Sequence, residues 1–391
     1  MIKMMREKMR CSRKTLLPLV CLSSIMTYID LIPSTIRNYI AYVAWILLLV
    51  ECLLTCRIRV HKNALQFITY GLIFFAAAAL LDVFSPKQYL SSSVVYSIAV
   101  SLLVFICGLL LGNKLNQDDV KVICRWYVFG AVIYTVLLII STRGNFNLSS
   151  RQYLGFNKNS VGQILSSAAT ILMIGISAEK EKSNTAIRVI LSILLIIIMF
   201  LIRARTCILC FSVSVIVMLM SRYTSRKVKK WVWSLLAVLV LTVLLVPGFR
   251  TVFFEKILFA NRDATDLNAL SSGRVRIYSQ FFPLIQNNEL IGSGARYYES
   301  FFLSVIIQFG IPIGLYLWGY VLYMFRLIKR IKDSIFYGWL LVLIAVSYSL
   351  NGVFEGLPPF GPGTKNYLLW LLLGFGITHT AIAARGIDHL D

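Results

Sequence analysis

Four arginines stand out because their type and spacing suit the binding of an anion. Arg203 and Arg205, in the sequence LIRARTC, lie between two apolar segments so close together that only a tight turn can join them. Arg274 and Arg276 follow in the sequence SSGRVR. A planar guanidinium group donates two parallel hydrogen bonds to a phosphate or a carboxylate. We therefore predict that these side chains bind a ligand carrying one of those groups.

Glu299 is the candidate for proton transfer. It follows the sequence IGSGARYY and comes directly before a long apolar segment, so we expect it at the mouth of a helix. A carboxylate at a partly dry interface can take the proton of an attacking hydroxyl group as a general base. The alternative is a structural ion pair with Arg296, which lies three residues away and could share a helical face.

The amino-acid composition indicates which class of protein carries these residues. Hydrophobic residues make up 58% of the 391 residues and charged residues only 14%, and the mean hydropathy is +0.77. A soluble domain is about half apolar and a quarter charged. The chain is therefore a membrane protein, which excludes a soluble enzyme, a disordered chain and a nucleic-acid binder. Its net charge of +22 arises from basic residues between apolar segments, where they set topology.

The apolar segments predict an all-α polytopic membrane protein, a single integral membrane domain over residues 1–391. A spanning helix needs about 20 mostly apolar residues, and about twelve segments qualify. We expect the first to be retained rather than cleaved, because no small-residue cleavage site follows it. The predicted spans are 15–32, 37–56, 64–84, 90–112, 121–141, 160–178, 187–202, 206–221, 231–247, 300–325, 335–354 and 365–384.

The distribution of Lys and Arg predicts that both termini are cytoplasmic. With that orientation every inner segment is rich in basic residues, as the positive-inside rule requires. Among the remaining outer basic residues, arginine outnumbers lysine. Positive charge on the outer side opposes insertion of the chain into the membrane in this orientation. The outer arginines are therefore better explained if they form an anion site at the outer face. The alternative is that each arginine extends to a lipid headgroup.

Four acidic residues also fall at the outer ends of predicted spans, namely Asp30, Asp82, Glu299 and Glu355. Ionisable groups at membrane depth are costly and are functional candidates. For Asp30 and Asp82 the alternative, a helix end that meets water, is equally favoured. Glu51, near the inner end of the second span, has no role that we can assign.

A long outer loop over residues 248–299 lies between predicted spans nine and ten. Its sequences FRTVFFEKILFA and RVRIYSQFF carry apolar residues at helical spacing, which predicts two helices along the membrane interface. We expect Pro283 to end the second of them. A loop of this length is usually functional, and a lid over an outward-facing site is the natural interpretation.

The cysteines and histidines predict neither a metal site nor a cofactor. Cys207 and Cys210 form a single CxxC pair within an apolar segment, and none of the three histidines is near in sequence. Free cysteine in such a segment behaves as a small hydrophobic residue. We expect chemistry that needs no metal.

Several short pieces, taken in order, resemble the O-antigen ligase and Wzy-type polysaccharide polymerase superfamily. The resemblance covers about residues 150–330 and includes the large loop between spans nine and ten. The pieces in this chain are Asn157-Lys158-Asn159, Arg203 and Arg205 in a tight turn, Ser272-Gly273-Arg274, Gly292-Ser293-Gly294, and Gly310-Ile311-Pro312-Ile313-Gly314.

The resemblance implies a metal-independent glycosyltransferase of the GT-C type that uses sugars linked to polyprenyl diphosphate. It implies that Arg205 (or Arg203) and Arg274 hold the donor diphosphate. The ligase branch usually has a histidine where this chain has Glu299, which favours a polymerase. We predict Glu299, Arg274 and Arg205 as catalytic residues. The predicted substrate-binding residues are Arg203, Arg276, Arg296, Arg151, Asn159 and Glu355.

The predicted function is polymerisation of polyprenyl-diphosphate-linked (undecaprenyl-type) oligosaccharide repeat units into a bacterial O-antigen, capsule or exopolysaccharide. The alternatives are a ligase that moves a finished glycan to another acceptor, and a flippase for the same lipid-linked sugars. A transporter usually shows symmetric halves or charged, broken helices at the bilayer midplane, and the sequence shows neither. The expected partners are the lipid-linked glycan, the bilayer of the cytoplasmic (inner) membrane, and, as candidates, a chain-length regulator and a flippase.

Overall fold

A computed structural model describes most of the apolar chain. The residues described are 16–27, 29, 33–55, 61–113, 115, 117–147, 150, 152–178, 182–221, 226–251, 266, 268, 271, 273–331 and 338–383. Asp30, Arg151 and Ser272 lie outside these ranges, as does most of the predicted interfacial helix FRTVFFEKILFA.

The described residues form helices joined by short connections. The exceptions are one small antiparallel hairpin, β1 (Gln152–Tyr153) and β2 (Phe156–Asn157), and 3-10 turns at Tyr89–Ser91 and Gly363–Asn366. The α-helices are α1 (Leu16–Met26), α2 (Ser34–Thr55), α3 (Lys62–Phe84), α4 (Ser93–Leu111), α5 (Gln117–Thr142), α6 (Lys158–Ala178), α7 (Lys182–Leu201), α8 (Arg205–Met220), α9 (Arg226–Leu245), α10 (Pro247–Thr251), α11 (Arg274–Ser279), α12 (Phe281–Ile285), α13 (Phe301–Ile331), α14 (Gly338–Phe354) and α15 (Tyr367–Ala383).

A helix occupies each of the segments predicted to span the membrane. Among the described residues, seven helices, α2 to α7 and α13, are long and apolar enough to cross a membrane, and α1, α8 and α14 are shorter apolar helices. The protein is therefore an all-helical, polytopic integral membrane protein. The number of twelve crossings stays a prediction.

The chain divides into two compact units. Unit 1 comprises residues 1–130, 281–345 and 352–391, and unit 2 comprises residues 131–280 and 346–351. Each unit has its own packing and its own set of predicted site residues.

In unit 1, helices α4 and α15 pack backbone against backbone through glycines. A Cβ atom at Gly108 would overlap the carbonyl oxygen of Leu371, and one at Gly374 would overlap that of Phe105. Gly112 allows a similar approach to Phe375, at 2.9 Å from a Cβ to the carbonyl oxygen. Small residues at such positions let membrane helices gain van der Waals contact at close range.

In unit 2, helix α6 packs against α7 and α8 and buries a polar face. Asn351 Nδ2 donates to Gln163 Oε1 at 3.2 Å, and the hydroxyls of Ser167 and Tyr348 are hydrogen-bonded at 3.0 Å. These side chains are all buried. Hydrogen bonds between buried polar groups hold membrane helices together because no water can satisfy those groups.

The second predicted interfacial helix is present as two short helices, α11 and α12, which follow Gly273. The expectation that Pro283 ends the helix is wrong. The interruption falls at Gln280, and Pro283 is the third residue of α12. Proline is tolerated in the first turn of a helix because the N–H that it lacks would have no partner within the helix.

Candidate functional site

The turn between α7 and α8 presents Arg203 and Arg205 side by side. Arg203 is buried, with a relative exposure of 6%, and adopts the left-handed conformation with φ 54°. Its N–H donates to the carbonyl oxygen of Phe200 at 3.0 Å, and its own carbonyl accepts from Arg205 N at 2.9 Å. This conformation costs a residue with a side chain about 1–2 kcal/mol. The turn is therefore tight, as predicted, and backbone hydrogen bonds hold it.

Arg274 reaches this turn from the first position of α11. Its Nη2 donates to Thr206 Oγ1 at 3.3 Å, and Thr206 is the residue directly after Arg205. The structure thus places Arg274 against the residue that follows Arg205 in unit 2. Their roles in binding and catalysis stay predictions.

Asn268 fixes the start of α11 and therefore the position of Arg274. Its carbonyl oxygen accepts from Gly273 N at 2.8 Å, and its side-chain oxygen accepts from Arg276 N at 3.0 Å. Gly273 has φ 85°, a conformation that favours glycine. Arg276 itself is exposed on α11. Nothing in the sequence distinguishes Asn268 from other polar loop residues, and our sequence analysis missed it.

The start of α6 lies against the first turn of α8. Asn159 N donates to Asn157 Oδ1 at 2.9 Å, and Cys207 Sγ donates to the carbonyl oxygen of Asn159 at 3.0 Å. Gly162 permits this approach, because a Cβ there would press on Ala204. The N-terminal ends of two long helices therefore meet beside the arginines. Such ends carry partial positive charge and attract anions.

Tyr153, in the hairpin before α6, is buried beside Arg203. Its hydroxyl donates to the carbonyl oxygen of Asn147 at 2.7 Å, and its own carbonyl accepts from Tyr134 OH at 3.3 Å. Burial raises the pKa of Tyr153, and the positive charge of Arg203 acts in the opposite direction. The hairpin is thus held next to the turn that carries Arg203.

In unit 1, the backbone places Glu299 next to Glu355. Phe301 N donates to the carbonyl oxygen of Glu355 at 2.9 Å, and Gly356 approaches Tyr298 so closely that a Cβ would overlap its carbonyl oxygen. Within the described residues, no hydrogen bond or ion pair joins the Glu299 side chain to Arg296. The structure therefore lacks the ion pair that was the structural alternative for Glu299.

The segment before Glu299 is attached to an interruption in α13. Gly310 has φ 81° and ψ 171°, and Pro312 follows it, so the helical hydrogen bonds are broken there. The carbonyl oxygens before the break accept hydrogen bonds from the loop instead of from the helix. Ser293 N donates to Ile307 O at 2.7 Å, and Gly294 N donates to Gln308 O at 3.1 Å. The predicted Gly292-Ser293-Gly294 turn thus pairs with the break in the helix.

Two polar side chains complete this attachment, and the sequence analysis missed the role of both. Gln308 Nε2 donates to the carbonyl oxygen of Arg296 and to Ser304 Oγ, each at 2.7 Å, while its Oε1 accepts from Ser92 Oγ. Lys87 Nζ donates to Asn288 Oδ1 and to Gly292 O, each at 2.8 Å. The charge of Lys87 is therefore used to hold the loop, and Gln308 fixes the backbone of the segment that carries Arg296 and Glu299.

The part of the chain that the structure describes contains His, Cys, Asp and Glu side chains, which are the common ligands of metal ions. No group of three His, Cys, Asp or Glu side chains lies close enough together there to hold a metal ion. The chemistry that the described side chains offer is anion binding by guanidinium groups in unit 2 and proton acceptance by carboxylates in unit 1.

Comparison with known proteins finds a family match in the middle of the chain. The family model described as O-antigen ligase matches residues 190–318, which extend from α7 into α13. No curated protein sequence matches the chain. One solved structure that is similar is described as "Structural coordination of polymerization and crosslinking by a peptidoglycan synthase complex".

In that solved structure, 98% of the matching chain aligns with 82% of this one, at a TM-score of 0.45 and 14% sequence identity. A similarity of this degree supports no conclusion about function. The family match is the firmer result, since it contains Arg203, Arg205, Arg274 and Glu299. The match over residues 190–318 confirms the resemblance of this chain to the O-antigen ligase and Wzy-type polysaccharide polymerase superfamily.

Proposed function

We propose that the protein polymerises oligosaccharide repeat units carried on polyprenyl diphosphate, as a glycosyltransferase of the GT-C type. The product would be a bacterial surface polysaccharide, assembled at the outer face of the cytoplasmic membrane. The observation that carries the proposal is the hydrogen bond from Arg274 to Thr206, which brings Arg274 to the first turn of α8, just after Arg203 and Arg205 in the chain. A diphosphate is the anion that such a cluster suits.

In this mechanism the arginines of unit 2 act on the leaving group. The bond between the anomeric carbon and the diphosphate oxygen breaks, and both bonding electrons stay on that oxygen. Fixed guanidinium groups stabilise this developing charge, and each is worth a few kcal/mol in a site shielded from water. We assign this role to Arg205, Arg274 and Arg203, with Asn159 at the edge of the same site.

The second half of the reaction requires a base for the acceptor hydroxyl. The acceptor oxygen forms the new bond to the anomeric carbon and loses its proton. We assign the proton to the carboxylate of Glu299, which later returns it to water. Glu355, held next to Glu299 by the backbone, and Arg296, held by Gln308, are proposed to orient the acceptor.

The ligase function is the second candidate, and one observation favours it: the matching family model bears that description. A ligase would use the same arginines for the same leaving group and differ in its acceptor. We favour the polymerase because the chain has Glu299 at the position where the ligase branch has a histidine. A flippase and a chain-length regulator remain proposed partners.

Reconstitution in liposomes tests the proposal directly. Polyprenyl-diphosphate-linked repeat unit is supplied as the only substrate, and products are separated on a gel. We expect the wild type to give a ladder of lengthened glycans, and Arg274→Ala and Glu299→Gln to abolish it. Arg143→Ala is the matched control, because Arg143 is an exposed arginine of unit 2 with a φ of 51°, close to that of Arg203.

The outcomes separate the candidate functions. A ladder that persists in Glu299→Gln would retain the polymerase and remove the base. Transfer that needs a second lipid acceptor would establish a ligase. Movement of the sugar between leaflets with no new product would overturn the assignment as an enzyme.

A further inference from the structure

The second half of α13 carries a stripe of tyrosines and arginines that the proposed reaction does not use. Tyr316, Tyr320, Tyr323, Arg326 and Arg330 are separated by four, three, three and four residues. This spacing places them on one face of a helix. The stripe therefore changes along the helix from aromatic to cationic.

The tyrosines of this stripe stack against α3, which packs beside α13 in unit 1. The ring of Tyr70 lies 5.4 Å from Tyr316, 5.9 Å from Tyr320 and 5.2 Å from Tyr323, measured between ring centroids. Tyr316 OH donates to the carbonyl oxygen of Tyr70 at 2.8 Å. The aromatic part is thus a rigid wall, and Tyr70, Tyr316 and Tyr323 are only partly buried.

The cationic part is exposed and polar. Arg326 and Arg330 are exposed on α13, and Arg330 Nη1 donates to Asn63 Oδ1 at 3.2 Å. Tyr323 OH donates to Gln66 Oε1 at 2.8 Å, and Gln66 is exposed as well. The hydrogen-bonding groups of Tyr323 and Gln66 therefore lie between the tyrosine rings and the arginines.

We propose that this surface, the Tyr–Arg face, binds an anionic phospholipid of the bilayer. The ligand must offer a negative charge to Arg326 and Arg330 and an apolar chain to the tyrosine rings at the same time, and a phospholipid does both. Its phosphate pairs with the guanidinium groups. Its glycerol region meets Tyr323 and Gln66, and one acyl chain lies along Tyr70 and Tyr316. Aromatic rings with a polar edge suit this depth in a membrane.

Electrostatic attraction alone would not select this place over other basic segments of the chain. Lys229 and Lys230 lie in the first two turns of α9 and are also basic, but among the described residues no comparable tyrosine stack accompanies them. The proposal therefore predicts that the lipid binds at Arg326 and Arg330 and not at Lys229 and Lys230, although the two pairs carry the same charge. It is independent of the proposed polymerase function.

Native mass spectrometry of the protein extracted from vesicles of phosphatidylcholine and phosphatidylglycerol tests the proposal. The measured quantity is the fraction of protein that retains one phosphatidylglycerol. We expect Arg326→Gln combined with Arg330→Gln to lower this fraction by roughly tenfold or more, given the contribution of two basic groups near an anionic lipid. The matched control, Lys229→Gln combined with Lys230→Gln, removes the same charge and is expected to retain the lipid.

An equal loss in both double variants would overturn the proposal, because it would show general attraction to headgroups. Undiminished retention in the arginine variant would overturn it as well. If that variant fails to fold, titration of folded wild type supplies the answer. Added phosphatidylglycerol is then expected to raise the melting temperature of the wild type more than that of Tyr323→Leu, and equal rises would contradict the proposal.

Discussion

At the scale of a single residue, Arg203 lowers the stability of the folded protein in two ways. Its left-handed backbone costs about 1–2 kcal/mol relative to a glycine. The side chain is also buried, so its charge has been removed from water at a further cost. Strain and buried charge of this kind gather at functional sites. We therefore expect this turn to form part of the proposed anion site.

Thr206 is predicted to act as a positioning residue for Arg274. Its hydroxyl accepts from the guanidinium at 3.3 Å, and a hydrogen bond to a charged group contributes about 1.5–3 kcal/mol when it is shielded from solvent. Because Arg274 is partly exposed, we expect Thr206→Val to lower kcat/KM of the liposome reaction by about tenfold rather than more.

Thr206→Ser is the matched control, since it keeps the hydroxyl, and it should restore most of the activity. The folded stability of both variants is measured alongside, by thermal unfolding in detergent. Equal activity of Thr206→Val and wild type would show that the hydrogen bond has no catalytic consequence.

Features of the site that depend on spacing along the chain could be predicted from the sequence, and those that depend on contacts between distant residues could not. The tight turn that carries Arg203 and Arg205 was predictable, because the apolar segments on either side of it are so close together in the sequence. Thr206, Asn268 and Lys87 were not, because their roles depend on which distant backbone groups come within hydrogen-bonding distance. That information is absent from spacing along the chain.

At the scale of an element, helix α13 shows which features of a helix its sequence can predict. Gly310 and Gly314 form a pair of small residues four positions apart, a pattern that in membrane helices favours close packing of neighbouring helices. The structure instead shows a break, with Gly310 in a left-handed conformation against Leu290 of the preceding loop. The apolar pattern predicted the start of α13, at residue 300, but ended the span at residue 325, six residues before Ile331. It could not predict the break, because periodicity continues through the interruption.

Substitution of Gly310 by alanine is predicted to disrupt the attachment of the loop. A Cβ there would overlap the carbonyl oxygen of Leu290, and φ 81° is strained for alanine. We expect a loss of about 2–3 kcal/mol or failure to fold. The check is the melting temperature together with the yield of monodisperse protein.

Gly319→Ala provides the control within the same helix. Nothing lies within 4 Å of a Cβ at Gly319, and alanine in a helix interior is favoured over glycine by about 0.5–1 kcal/mol. This variant should match or slightly exceed the wild-type melting temperature. Similar losses in both variants would contradict the structural explanation of the break.

At the scale of the whole molecule, the twelve-span prediction can be tested through its orientation. Basic residues in the predicted inner segments place both termini in the cytoplasm. A green fluorescent protein fused after Asp391 should then fluoresce, because it folds only in the cytoplasm. Alkaline phosphatase inserted after Gly273 should be active, because it needs an oxidising exterior. The opposite pair of results would reverse the predicted topology and move the arginine cluster to the inner face.

The close glycine contact of α4 with α15 has a consequence for the order of events during synthesis. The two helices come from opposite ends of the chain, and the ribosome needs on the order of tens of seconds to translate the roughly 260 residues between them, at about 5–20 residues per second. Throughout that interval the glycine face of α4, with Gly108 and Gly112, lies in the bilayer without its partner. Unit 1 therefore reaches its final packing only after α15 is inserted. A nascent chain that stalls before residue 367 would leave that face open to the machinery that degrades incomplete membrane proteins.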